Sequence, residues 1–327
     1  NMSKRILSKK IQNKEKEFKT VLITGGAGYV GSVLTGLLLN DGYCVRVLDV
    51  LRFGGHSLFN YIGNPNYEFI KGDIRNKEEV RGALRGADAV IHLAAIVGFP
   101  ACRKEPELSR DINVNGTANL VSLAGGKVPI MFASTGSNYG KMLEEVCTET
   151  TPLNPLTDYG RQKTEAEEII KKNKEFVIFR FATAFGVSPR LRLDLLPNDF
   201  TYRAVRDRNL VVYEKHFMRT FIHVRDMARA FLFALENYPG MRREIYNVGS
   251  NSMNYSKEEI CRLISKKVDY YLHFANIGHD ADQRDYIVSY DKLEKLGFRT
   301  IIGMEEGIAE LVKVAEILNI ESPYHNA

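Results

Sequence analysis

No stretch of this 327-residue chain approaches the roughly 18–20 consecutive apolar residues that would span a bilayer. No short apolar segment follows the N-terminus in the manner of a secretory signal. A soluble, cytoplasmic protein without a membrane partner is the expectation. Cysteine is scarce: Cys44, Cys102, Cys147 and Cys261 stand apart without C-x-x-C spacing, which favours reduced thiols over a disulfide framework. The seven histidines form neither H-E-x-x-H nor a His/Cys cluster, so no metal site is expected. No internal repeat is visible. Excess charge is also missing from the body of the chain. The formal +5 resides in residues 1–19, where seven lysines and arginines face two glutamates, and the remaining 38 basic and 38 acidic groups cancel. A nucleic-acid partner would rest on that tail alone and is not expected. The tail itself is expected to be flexible, with no role in the fold. At 44% hydrophobic and 26% charged residues, the composition excludes disorder, collagen and coiled coil as overall classes.

What is present is a rhythm of short apolar runs and helical segments. Thr20–Thr24 is an apolar run ending in glycines, read as a buried parallel strand followed by a helix through Leu39. Further strands are expected at Cys44–Asp49, Tyr67–Ile70, Ala87–Ala95, Val128–Ser134 and Phe176–Phe181. Helices are expected at Lys77–Leu84, Leu108–Ala124 and Asp158–Asn173. Strands that are apolar on both faces and alternate with helices predict an α/β, Rossmann-type doubly wound parallel sheet. After residue 185 the rhythm breaks, with Pro189, Pro197 and several arginines before Val212. It resumes with Phe221–Val224, the helix Met227–Leu235 and the strand Ile245–Val248, and then short helices at Lys257–Lys266 and Glu305–Ile317. The expected organisation is a basic tail (1–19), a sheet domain (20–185 and 219–250) and a smaller, sequence-interleaved lobe (186–218 and 251–327).

The strand–helix junction reads Thr24-Gly25-Gly26-Ala27-Gly28-Tyr29-Val30-Gly31. Gly25 permits a tight turn, Gly28 lets the backbone approach a pyrophosphate, and Gly31 allows the helix to pack closely on the sheet. Phosphates would then meet the free N–H groups and the dipole of a helix N-terminus. An acid, Asp49, closes the second strand 21 positions beyond Gly28, the spacing expected of a ribose-binding carboxylate. It would repel the extra phosphate of NADP. Arg52 lies nearby and leaves some NADP tolerance open. Asp73, after the third strand, is either an adenine-edge contact or a helix cap.

Tyr159-Gly160-Arg161-Gln162-Lys163 is a Y-x-x-x-K at the start of a helix, and i, i+4 spacing puts Tyr159 and Lys163 on one face. An ammonium beside a phenol favours the phenolate, lowering a pKa of about 10. Tyr159 thereby becomes a candidate general base or acid, and Lys163 a candidate ribose ligand as well. Thr135, at the end of the fifth strand, can hydrogen-bond a substrate oxygen while its proton moves. His92 and His223, both within apolar runs, read as packed or structural histidines.

Taken together, the glycine loop, Leu93-Ala94-Ala95, Phe132-Ala133-Ser134-Thr135-Gly136-Ser137-Asn138-Tyr139-Gly140, Tyr159-x-x-x-Lys163 and Arg219-Thr-Phe-Ile-His-Val-Arg-Asp226 resemble the extended short-chain dehydrogenase/reductase family. The most similar subgroup is the nucleotide-sugar epimerases and dehydratases, over roughly residues 20–300. The resemblance implies a tightly held NAD, with Gly25, Gly28, Tyr29, Val30, Asp49, Asp73, Ile74, Leu93, Ala94 and Ala95 as cofactor contacts beside Tyr159 and Lys163. It implies a catalytic set of Thr135, Tyr159 and Lys163. Counting back four positions from Tyr139 puts the family's hydroxyl at Thr135 rather than Ser134. Arg219 and Arg284 are implied contacts of a nucleoside diphosphate, suited to bidentate phosphate recognition; the competing reading is ion pairs with Asp226 and Asp285. The stretch Leu195–Phe200 is similar to a small subset of the family acting on unusual sugars and brings Asn198 into the expected substrate contacts. Arg190 and Arg192, just before it, are either substrate contacts or solvated loop residues.

The resulting expectation is an NAD-dependent nucleotide-sugar epimerase working through a transient 4-keto sugar, and a homodimer joined through Leu108–Ala124 and Asp158–Asn173. The dehydratases of the family place an Asp-Glu pair directly after the catalytic threonine, where this chain has Gly136-Ser137. A dehydratase is therefore the second reading, with Glu144 or Glu145 as substitute acid. A 4-oxidase or ketoreductase is the third, and a non-catalytic NAD-binding regulatory protein the fourth.

Overall fold

A computed structural model describes residues 16–140, 146–275 and 287–318. Its frame is a sheet of seven parallel strands: β1 (Thr20–Thr24), β2 (Cys44–Asp49), β3 (Tyr67–Lys71), β4 (Ala89–His92), β5 (Ile130–Thr135), β6 (Phe176–Phe181) and β7 (Glu244–Val248). They pair in the order β7-β6-β5-β4-β1-β2-β3. Val21, Leu22 and Ile23 of β1 and Val90 and Ile91 of β4 are wholly buried, as a sheet covered on both faces requires. On one face, α1 (Tyr29–Asn40) and α4 (Val224–Glu236) bring Leu34, Leu38, Phe231 and Ala234 against Ile23, Val47 and Phe179. On the other, α2 (Lys77–Leu84), the helix Thr117–Ala124 and α3 (Asp158–Lys171) contribute Val80, Leu120, Ala166 and Ile170. Burying a Leu or Phe of this kind contributes about 1.5–3 kcal/mol. Strand order reverses between β1 and β4, and open α/β sheets bind ligands in the crevice at such a switch point.

The expected single helix Leu108–Ala124 is broken. Pro106–Arg110 runs into a π-helical turn, Asp111–Gly116, before Thr117–Ala124. The cause is Asn113, whose amide faces away from its own helix. It accepts from Ile96 N (2.8 Å) and donates to Ile96 O (2.9 Å) and Gln162 Oε1 (2.8 Å). Helical residues 99–104 precede this run.

The basic tail also ends earlier than its composition suggests. Phe18 is buried against Tyr238, and Lys16 pairs with Asp41 at 2.7 Å over the Tyr43 ring. Residues 1–15 lie outside the described residues.

A second core gathers Phe185, Leu191, Leu193, Phe221, Ile260 and Ile308. It is built from the helices Leu196–Arg206, Lys257–Ser265 and Met304–Ile317 and a three-stranded sheet of Thr183–Phe185, Met218–His223 and Asn254–Ser256. The strand at Phe221 was expected in the main domain. It pairs instead with Thr183–Phe185 and Asn254–Ser256, so only β7 joins the large sheet from that segment. The smaller lobe meets α1 directly, where Tyr29 donates its hydroxyl to Gly186 O at 2.7 Å. Among the described residues no helix is long and apolar enough to cross a membrane.

Candidate active site

A cavity of about 530 Å³ opens at the carboxyl ends of β1, β2, β4 and β5 and extends under the smaller lobe. Its floor begins at the glycine loop. Gly25 has φ +77°, and a Cβ there would come within 2.7 Å of the Ala94 nitrogen; one on Gly31 would lie 2.3 Å from Gly25 O. Both positions exclude other residues. Gly28 is different: it precedes α1 in extended conformation, with no side-chain cap, and α1 has no acid in its first turn. By contrast α2 and α3 are capped by Asn76 and Thr157. The first-turn N–H groups of α1, at the cavity, are thus left to an anion.

Asp49 accepts from Ala27 N at 3.0 Å and Leu51 N at 2.7 Å. Burial pushes its carboxyl above the usual range against the pull of these two N–H groups. One carboxylate therefore anchors the glycine loop and borders the cavity. Arg52 is taken up by an ion pair with Glu105. Asp73 and Ile74 also border the cavity. Asp73 is bound by Arg75 at 2.6 Å, which holds its pKa down, and the cap of α2 is Asn76 rather than Asp73. Tyr29, Val30, Leu93, Ala94 and Ala95 complete this end, although the Tyr29 hydroxyl is spent on Gly186. Beneath it, buried His92 links Thr24 Oγ1 (2.7 Å) to Thr117 Oγ1 (2.9 Å). Burial, with Lys163 nearby, pushes its pKa down to about 3. It is a neutral strut.

Thr135, Tyr159 and Lys163 border the same cavity. Thr135 ends β5, accepts from Ser137 N (3.1 Å) and donates to Ser137 Oγ (3.0 Å). Tyr159 and Lys163 stand on the first two turns of α3, one helical turn apart. Lys163 is buried, donates to Ala133 O at 2.8 Å, and sits 4.4 Å from the centre of the Phe132 ring. Burial brings its pKa down to about 8, so it carries its charge at neutral pH with little margin. Beside it Arg180, which also lines the cavity, forms a buried pair with Glu167 at 2.7 Å. Glu167 also receives Ser134 Oγ (2.5 Å) and Asn138 Nδ2 (2.8 Å), and Arg180 reaches Tyr139 (3.2 Å).

Two expected substrate contacts fare differently. Arg219 lies on the cavity wall, and Asp226 is not its partner, because that carboxylate binds Arg229 and the nitrogens of Ile301 and Ile302. Asn198 is corrected. It is 1% exposed, and its amide is used up by Gly186 N (2.9 Å), Arg192 O (2.8 Å), Gly186 O and the Tyr29 hydroxyl, away from the cavity. Arg284, Glu144 and Glu145 lie outside the described residues. Arg190 and Arg192, left open between substrate contact and solvated loop, are neither solvated nor remote: both are buried and line the cavity. The signal for them was the alternation Arg190-Leu191-Arg192-Leu193.

The N–H donors of the uncapped helix start and the accepting Asp49 carboxylate together fit the pyrophosphate and ribose of a dinucleotide. Comparison with known proteins agrees. The model of the NAD dependent epimerase/dehydratase family matches residues 21–249. The UDP-glucose 4-epimerase of Streptomyces lividans is 31% identical over 268 residues, covering 75% of this chain and 80% of that protein. The Thermus thermophilus UDP-glucose 4-epimerase, solved in complex with NAD, superposes with a TM-score of 0.79 at 26% identity, covering 91% and 99% of the two chains. The dTDP-glucose 4,6-dehydratase DesIV of Streptomyces venezuelae, solved with NAD and TYD bound, gives 0.81 at 26% identity, covering 91% and 97%.

Proposed function

Because this chain belongs to the NAD-dependent epimerase/dehydratase family, an enzyme family with NAD as its cofactor, we propose that it epimerises a nucleoside-diphosphate sugar through a transient 4-keto intermediate. The observation that carries this reading is the wall beside Thr135. Gly136 and Ser137 follow it there, and among the described residues lining the cavity the carboxylates are Asp49 and Asp73. These stand at the ends of β2 and β3, three and four strands along the sheet from β5, roughly 14 Å or more at the usual strand spacing. A dehydratase needs an acid placed to protonate a departing hydroxyl, and the described residues of this wall supply none. An epimerase needs only that the keto sugar turn its other face and be reduced again.

In this reading Tyr159 accepts the proton of the sugar hydroxyl and later returns it. Thr135 hydrogen-bonds the same oxygen, and its own hydroxyl is oriented by Ser137. Lys163, charged below about pH 8, stabilises the phenolate of Tyr159 and holds a cofactor ribose. The first turn of α1 would take the pyrophosphate of NAD, and Asp49 the adenosine ribose. When bound, NAD supplies the site that accepts the sugar's hydride and gives it back. Arg219 grips the substrate's diphosphate, with two parallel N–H donors suited to phosphate oxygens. Relatives named as acting on UDP-glucose support a nucleoside-diphosphate sugar as the substrate class. With such a substrate we infer a cytoplasmic enzyme. We extend the reading to a homodimer through the helical run 106–124 and α3, whose outer surfaces are already bridged by Arg110 and Glu165 at 2.8 Å. Incubation with UDP-, GDP- and dTDP-sugars tests the function: the product should have the substrate's mass, with no net NADH formed.

A further inference from the structure

The segment between the strand Thr183–Phe185 and the helix Leu196–Arg206 is irregular, with no strand or helix of its own. Leu191 and Leu193 enter the core of the smaller lobe, while Arg190 and Arg192 line the cavity. The segment is pinned to the start of α1. Ser188 Oγ donates to Tyr29 O at 2.6 Å and meets Ser32 Oγ at 3.1 Å, while the Tyr29 hydroxyl donates to Gly186 O. The Arg192 guanidinium lies 6.0 Å from the Tyr29 ring centre and is bound by Asp194 at 2.5 Å. The Arg190 guanidinium stacks 4.0 Å from the ring centre of Phe53, on the loop that follows Asp49.

We propose that this segment of the smaller lobe is a second phosphate-binding element for NAD, with Arg190 reaching the cofactor's pyrophosphate across the cavity from the uncapped start of α1. Arg192 is neutralised by Asp194 and shapes the loop. Arg190 is only 7% exposed and lines the cavity, and its planar guanidinium suits bidentate contact with phosphate oxygens. Burial and the neighbouring Arg192 already bring its pKa down to about 10. Placement favours the cofactor over the sugar nucleotide, because the anchors that tie the segment to the sheet domain (Tyr29, Ser32 and, through Arg190, Phe53) belong to the dinucleotide end of the sheet. The cofactor is then clasped between lobes rather than laid on one. This explains how a single NAD could stay bound from one turnover to the next. The inference rests on the family's cofactor and not on the epimerase reading.

The test measures NAD retained after gel filtration, the NAD Kd, and UDP binding by calorimetry, for wild type, Arg190→Ala, Arg190→Lys and Arg219→Ala. Arg190→Ala should weaken NAD by roughly 10–100-fold, the effect of one charged hydrogen bond, and leave UDP binding unchanged. Arg190→Lys keeps the charge without the planar fork and should recover part of the loss. Arg219→Ala should show the reverse pattern, weakening UDP and sparing NAD. An unchanged NAD Kd in Arg190→Ala and Arg190→Lys, with normal melting of the apoprotein, would overturn the proposal. So would a loss of UDP affinity in the Arg190 variants without a loss of NAD.

Discussion

Ser134 donates its hydroxyl to the buried Glu167 carboxylate at 2.5 Å, while Thr135, the next residue of the same strand, exchanges hydrogen bonds with Ser137. Alternation along a strand separates the two hydroxyls. Ser134 shares its face with Phe132, toward α3, and its hydroxyl is committed to Glu167, whereas Thr135 is the hydroxyl proposed to meet the substrate.

Replacing each by alanine should therefore give opposite phenotypes. Thr135→Ala is expected to lower turnover by about 10²-fold, as for loss of one donor at a reacting oxygen, with melting nearly unchanged. Ser134→Ala should cost about 1–3 kcal/mol of stability by leaving Glu167 short of a donor, with turnover per folded molecule retained. Steady-state kinetics and thermal melts on both variants separate the assignments. Equal loss of turnover in both would contradict them.

The Glu167–Arg180 pair has both side chains buried. Burial works against the Arg180 charge, but Glu167 and Tyr139 outweigh it and keep the guanidinium protonated. Glu167→Gln should destabilise by about 3–5 kcal/mol, because an unpaired buried guanidinium remains. Chemical denaturation would show this as a lower midpoint, and an unshifted midpoint would mean the pair contributes nothing net.

Tyr159→Phe removes the hydroxyl proposed to move the proton. Turnover should fall by about 10²–10⁴-fold, the range for a general acid/base, while NAD affinity stays within a few-fold. A variant that turns over normally would assign the proton transfer to another group.

Lys163 is the case where function and stability oppose each other. Its folded pKa of about 8 lies below the ordinary lysine value, so between these two values the unfolded chain binds more protons. Raising the pH through that window therefore favours the folded state. Lys163→Met should abolish activity and weaken NAD, yet leave the apoprotein at pH 7 more stable by on the order of 1 kcal/mol, once the lost bond to Ala133 O is discounted. Melting curves from pH 7 to 10 should show wild type gaining on the variant as pH rises. A gap that stays constant would show that Lys163 does not titrate there.

Much of this fold is legible in the sequence because its signals are local. Cys44–Asp49, Lys77–Leu84 and Phe176–Phe181 begin and end where their turn and polar residues place them, and the glycines at 25 and 31 announce their own stereochemistry. What escapes depends on distant partners. The π turn at 111–116 is set by Asn113 reaching Ile96 and Gln162. Asn198 looks available in a polar stretch until Gly186 and Arg192 consume its amide. Phe18 carries no sign in a lysine-rich tail that Tyr238 awaits it. The arginines at 190 and 192 stay open between substrate contact and solvated loop in the sequence, because only the fold shows that they line the cavity while Leu191 and Leu193 enter the core.

The central claim is that a hydride leaves C4 of the sugar and returns to C4. The most direct measurement follows deuterium from a nucleoside-diphosphate sugar labelled at C4, read by NMR and mass spectrometry of the product. Epimerisation predicts an isomer of unchanged mass with the deuterium still at C4 and no labelled NADH in solution. Deuterium found at C6 with loss of water, or carried off as labelled NADH, would contradict the account.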